Sequence, residues 1–156
     1  MDKLIDDLIK LAFAEDIGDG DHTTLCCIPE TAMGKSQLII KEDGVLAGVE
    51  MAKRIFHDFD PELKMTVFIQ DGAEVKKGDI AFVVEGKIQS LLQTERLMLN
   101  VMQRMSGIAT TTRKYAKALE GTKTHVLDTR KTTPGMRMIE KEAVRIGGGM
   151  NHRIGL

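Results

Sequence analysis

The sequence predicts an α/β protein, and three observations carry that prediction. Between residues 35 and 84, short apolar runs alternate in polarity and end in Gly-containing turns, which is strand patterning. From Gln89 the period lengthens, and apolar residues recur three and four apart as they do in helices. From His125 onward an apolar strand, a helix and a new apolar residue follow at the spacing of a β-α-β unit, which needs a parallel pair with its helix outside.

The elements follow in order. Lys3 to Ala14 carries apolar residues at 4, 5, 8, 9, 11 and 12, a helical stripe. Glu15 to Thr24 (EDIGDGDHTT) breaks it with glycines and aspartates. Its acid density invites a calcium loop, but the ligand spacing and terminal Glu of such loops are missing, so a capped turn is expected. Lys35 to Glu42 reads as a strand turned by Asp43-Gly44, with Val45 to Ala47 continuing the sheet, and Val49 to Phe59 reads as a short helix. Leu63, Met65, Val67 and Ile69 alternate inward on a strand closed by the hairpin signal Asp71-Gly72, and Lys77-Gly78 turns again before Ile80 to Val84. A structural hairpin is expected over DGAEVKKGDIAFVVEG. Two helices are expected next, the first breaking near Ser106-Gly107 and the second running from Ile108 to Leu119, capped by Gly121. His125 to Leu127 is a strand. Pro134 suits the first turn of a helix over Met136 to Ile146, where its missing N–H costs nothing. Gly147 to Gly149 stops that helix, and Ile154 begins a strand.

Composition narrows the function classes. No apolar run approaches the roughly 20 residues of a membrane helix, and three aspartates in the first seven residues suit no signal peptide. Cys26 and Cys27 are adjacent and poorly placed to bridge, which points to a reducing cytoplasm. The ten methionines imply a softly specified core or a surface that meets partners. Residues 1–87 hold nine lysines and one arginine against eighteen acids, whereas residues 88–156 hold five lysines and seven arginines against five acids. Because Arg binds carboxylate and phosphate bidentately, the second half suggests a small anionic ligand. Nucleic acid is disfavoured: the arginines are dispersed, and aromatic residues for base stacking are scarce.

The candidate site follows from position. Arg130 and Lys131 stand where a parallel strand gives way to a loop, the usual ligand face of α/β sheets and barrels. His152 and Arg153 stand at the next strand, completing a cup for an anion. Thr132, Thr133 and the loop's N–H groups are expected to add donors. Arg96, by spacing alone, is an ordinary helix cation paired with Glu95 or Glu120.

Three stretches carry a resemblance: Glu15–Thr24, Glu95–Thr110 (ERLMLNVMQRMSGIAT) and Asp128–Leu156 (DTRKTTPGMRMIEKEAVRIGGGMNHRIGL). The chain resembles quinolinate phosphoribosyltransferase, over about the first half of a family member. A molybdenum-transport-linked relative shares the Arg-Lys and His-Arg pairs, but Asp128-Thr129 and Asn151 fit the quinolinate enzyme better. The resemblance implies an open-face α/β sandwich over 1–107 and the first part of an incomplete β/α barrel over 108–156. It implies a cytoplasmic, dimeric enzyme of NAD biosynthesis that makes nicotinate mononucleotide, pyrophosphate and CO2 from quinolinate and phosphoribosyl pyrophosphate. Arg130, Lys131, His152 and Arg153 would hold the carboxylates and phosphates, with Arg130 and Lys131 cast as catalytic. Arg96 would reach a neighbouring subunit's site. Mg²⁺ would accompany the pyrophosphate, with no metal ligand assigned to this chain. The expectation is therefore a truncated copy of low activity. The alternative is a non-catalytic fragment that associates through an exposed barrel edge, with the stripe Met98, Met102 and Met105 beside Arg96 as further apolar surface.

Overall fold

The computed structural model describes residues 2–153. The strand expected at Ile154 lies outside the described residues. Helix α1 (Asp2–Ile17) turns Ile9 fully inward and stacks Phe13 on Phe59, ring centroids 5.0 Å apart. The acidic loop after it is the capped turn expected. Asp21 accepts a hydrogen bond from the Thr24 backbone N–H at 3.1 Å, opening α2 (His22–Cys27). Those hydrogen bonds from Thr24 hold the Asp21 carboxyl below its ordinary pKa.

A three-stranded antiparallel sheet follows, built from β1 (Met33–Ile39), β3 (Lys64–Val67) and β5 (Ile80–Lys87) in the order β1-β5-β3. Ala81 to Val84 of the central β5 are all buried, so that strand reads as a continuous apolar run. Helix α3 (Val49–Phe59) packs Phe56 edge-on against Phe82, centroids 6.3 Å apart.

The hairpin expected over residues 71–86 is not formed. β4 (Glu74–Val75) pairs instead with β2 (Gly44–Val45), while β5 takes β1 and β3 as neighbours. The Asp71 carboxylate accepts the Val49 and Glu50 N–H groups at 2.8 and 3.2 Å, capping α3, while Asp71-Gly72 still makes the expected tight turn, with the Ala73 N–H on the Gln70 carbonyl at 3.3 Å.

The helix break expected at Ser106-Gly107 is also absent. Helix α4 runs unbroken from Ile88 to Ala118. A glycine inside a helix costs only about 1 kcal/mol, which packing along 31 residues outweighs. The Ser106 and Thr110 hydroxyls turn outward from α4 to the sheet edge. They accept the Ala47 and Val45 N–H groups at 3.0 and 2.9 Å, and the Ser106 hydroxyl donates to the Ala47 carbonyl. Met98, Met102 and Met105 are buried within this chain, so they are core and not an association stripe. They suit the role because a flexible thioether fills the irregular space between α3 and α4.

Helix α5 (Arg137–Ile146) buries Ile139 and Ala143 and packs on α4. Pro134 sits in the turn before it, not in its first turn, because Gly135 takes a positive φ of 79° and the Met136 N–H closes back on the Thr133 carbonyl. The strand expected over 125–127 is reduced to one parallel bridge, Leu127 to Met150. No helix among the described residues is long and apolar enough to cross a membrane.

Candidate functional site

The site is assembled around the bridge between Leu127 and Met150. There the Met150 N–H donates to the Val126 carbonyl at 2.8 Å and the Asp128 N–H to the Met150 carbonyl at 3.1 Å. Three glycines let the chain return this tightly. Gly147 lies on α4, Gly148 takes φ 95°, and Gly149 presses on Val144 and Thr112. Arg113 clamps the turn from α4. Its guanidinium donates to the carbonyls of Gly147 (3.0 Å), Ile146 (3.2 Å) and Gly72 (3.3 Å). One side chain thus satisfies the end of α5, where bare carbonyls carry partial negative charge, and ties it to the turn at residue 72.

The Arg130-Lys131 loop is shaped by two buried acids. Glu140 of α5 accepts Arg104 Nε at 2.8 Å and the Thr133 N–H at 3.3 Å. Burial raises its pKa, but the hydrogen bonds from Arg104 and Thr133 outweigh burial and leave it below the ordinary value. Asp128 forms a fully buried ion pair with Lys141. Its Oδ1 also accepts the His152 N–H at 2.8 Å. Oriented to satisfy its surroundings, the Asn151 amide donates to Asp128 Oδ2 at 2.8 Å and to the Lys141 carbonyl at 2.9 Å.

The structure therefore brings the two cationic pairs to one hub. Arg130 is half-buried, with its Nε shielded from solvent and without an acceptor. Lys131, His152 and Arg153 are exposed. Among the described residues none of these four side chains has a carboxylate partner, because Asp128 is committed to Lys141 and Glu140 to Arg104. The Thr132 and Thr133 hydroxyls accept Arg137 Nε (3.2 Å) and Arg104 Nη2 (2.5 Å), and the Lys131 N–H goes to the Thr129 hydroxyl (3.1 Å), so these bonds fold the loop without using the two hydroxyl protons.

Arg96 is elsewhere. It is exposed on the first half of α4, and its partner is Asp16 at 2.5 Å, not Glu95 or Glu120. The Asp16 hydrogen bond raises its pKa further.

Sequence reasoning gave no role to Asp128, Glu140, Lys141 or Arg113. Glu140 had a signal: it lies four residues after Met136 and three before Ala143, on the inward face. Lys141 and Arg113 had none, since a helical cation reads as solvated until its acceptor is known. Among the described residues no cluster of three His, Cys, Asp or Glu side chains converges as a metal centre.

This arrangement sets two segments rich in basic side chains around neutralised carboxylates, and known proteins share its sequence. The family model for the N-terminal domain of quinolinate phosphoribosyl transferase matches residues 21–106, and the model for its C-terminal domain matches residues 108–156. The chain is 48% identical over 150 residues to "Quinolinate phosphoribosyltransferase [decarboxylating] 1" of Nicotiana glauca, covering 96% of this chain and 42% of that protein. It is 43% identical over 153 residues to a probable nicotinate-nucleotide pyrophosphorylase [carboxylating] of Synechocystis, covering 98% of this chain and 52% of that one. The crystal structure of NadC from Streptococcus pyogenes superposes with a TM-score of 0.95 at 41% identity, over 100% of this chain and 55% of that one. The chain spans about half the length of the relatives it matches.

Proposed function

The chain belongs to the quinolinate phosphoribosyltransferase family, and on that premise we propose that it supplies the dicarboxylate-binding part of a site that makes nicotinate mononucleotide for NAD biosynthesis. In that reaction the pyridine nitrogen of quinolinate bonds to the anomeric carbon of phosphoribosyl pyrophosphate as the C–O bond to pyrophosphate breaks. The 2-carboxylate then leaves as CO2, and the electron pair left on the ring carbon takes a proton. Arg130, Lys131, His152 and Arg153 hold the substrate anions. Two carboxylates on adjacent ring atoms need cations from more than one direction, and the two segments at Asp128 provide them. Holding a dianion beside an electron-poor carbon contributes orientation and charge stabilisation. The observation that carries the reading is the buried Arg130 Nε without an acceptor beside Lys131, His152 and Arg153, which have no carboxylate partner among the described residues.

The same reading divides the chain into a sandwich unit, 1–107, and the opening of a barrel, 108–156, with α4 serving both. It takes Mg²⁺ to travel with the pyrophosphate and assigns no step to a metal held by residues 2–153. Arg96, outside the cluster in its own chain, faces the site of a second subunit in a cytoplasmic homodimer, where an anion competes with Asp16 for it.

Because the chain spans about half the length of its relatives, binding is the direct assay. Calorimetry is expected to show quinolinate binding more tightly than the monocarboxylate nicotinate. Arg130→Ala should weaken quinolinate by about 1.5–3 kcal/mol, the worth of a charge-assisted hydrogen bond. Arg113 is no control, since it clamps α5, so exposed Lys10 on α1 serves instead. Equal losses for Arg130→Ala and Lys10→Ala would reduce the site to a diffuse positive field.

A further inference from the structure

Every described hydrogen bond that holds residues 151–152 ends on Asp128 or on the backbone carbonyl of Lys141. Asp128 also grips the same segment through its own backbone, by the N–H bonded to the Met150 carbonyl. Only two residues further along the chain is Arg130. We propose that Asp128 is a positioning residue: its carboxylate sets the spacing between the Arg130-Lys131 and His152-Arg153 pairs, and Lys141 is present to neutralise it. The claim rests on the dicarboxylate-binding reading above and names what aligns that site.

Three arguments support it. An ion pair as deeply buried as Asp128–Lys141 is a poor device for stability alone, because apolar residues of similar volume often serve as well once desolvation is counted. Next, the job needs two oxygens. Oδ1 takes the His152 N–H while Oδ2 takes Lys141 and Asn151, and an amide in place of the carboxylate offers one acceptor too few. Finally, a bare carboxylate beside an anion site repels the ligand and competes for its cations. Lys141 cancels that charge from the protein side, so Arg130, Lys131, His152 and Arg153 remain available. The pair thus delivers fixed acceptors with no net charge, which neither an unpaired acid nor an apolar residue does.

The test separates alignment from stability. Asp128→Leu alone leaves the Lys141 ammonium buried without a partner and should melt well below the native chain. Asp128→Leu combined with Lys141→Met removes both charges at similar volume and should recover most of that loss. At matched melting temperature, amide hydrogen exchange of His152, read by NMR, is expected to be at least tenfold faster in the double variant, and quinolinate affinity at least tenfold weaker. Native exchange at His152, or affinity that returns with the melting temperature, overturns the proposal. Should the double variant fail to fold, Asn151→Ala, on the exposed side of the hub, is expected to speed His152 exchange several-fold, and unchanged exchange there counts equally against it. If the native chain does not bind quinolinate, the functional reading fails, while the His152 amide still decides whether Asp128 sets the loop.

Discussion

Replacing Gly147 by alanine tests how closely the site-bearing turn is seated on α4. The φ of Gly147 is −69°, an ordinary helical value, so alanine meets no conformational penalty and the whole effect is steric. A Cβ there lies 2.6 Å from the Ala109 carbonyl oxygen, 2.7 Å from Thr112 Cβ and 3.0 Å from Ala109 Cα. Two of those atoms are backbone of α4 and cannot swing aside. Overpacking of this kind costs about 1–3 kcal/mol, offset by the ~0.4–1 kcal/mol that alanine contributes by restricting the unfolded chain. A net loss of about 1–2 kcal/mol is expected, or several degrees of melting temperature for a chain of this size. Gly107→Ala is the matched contrast. It lies in the exposed middle of α4 with nothing within 4 Å of its Cβ position, so it should stabilise by about 0.5–1 kcal/mol. Urea unfolding of both variants reads the difference directly. A Gly147→Ala chain as stable as the native one would refute the close seating, and a destabilising Gly107→Ala would refute the continuous helix.

Stability should fall on the acid side. The hydrogen bonds of Glu140 with Arg104 and of Asp60 with Ser90 hold both carboxyls below their unfolded values, so the stability they contribute is present above about pH 4.5 and lost as pH falls through the folded pKa. The urea midpoint should hold from pH 7 to 5 and then decline, less steeply in Glu140→Gln, and an identical decline in that variant would remove Glu140 from the account. Light scattering coupled to size exclusion should report at least twice 17.3 kDa, because Leu92 and Leu99 are left exposed on α4 on either side of Arg96. A clean monomer at micromolar concentration would contradict the proposed dimer.

What the sequence revealed was what local chemistry decides. Val49 to Phe59 was legible residue for residue because its apolar positions face one way and both ends lose the pattern. The two cationic pairs were legible because their place after an apolar run does not depend on distant partners. Pairing was less so. Val75 joins Gly44 rather than β5, a choice made by contacts thirty residues apart that no turn residue records. Ser106-Gly107 looked like a break because propensity is local, whereas the bonds from Thr110 to Val45 and from Ser106 to Ala47 are not. The methionine stripe was visible, but its burial depended on α3 lying opposite. Asp128 and Lys141 were invisible as a pair, since thirteen residues separate them and each reads as a surface charge.

The unbroken α4 has a mechanical consequence. At about 1.5 Å per residue it is a rod about 46 Å long, and Arg96 and Arg113 lie about 25 Å apart along it. Asp16 grips one of these points and the turn after α5 the other. A tilt of about 5° pivoted at Arg96 swings Arg113 by about 2 Å, far more than the tolerance of a hydrogen bond. Re-seating the N-terminal half of α4 against α1 would therefore be felt, magnified, at the turn that carries His152 and Arg153.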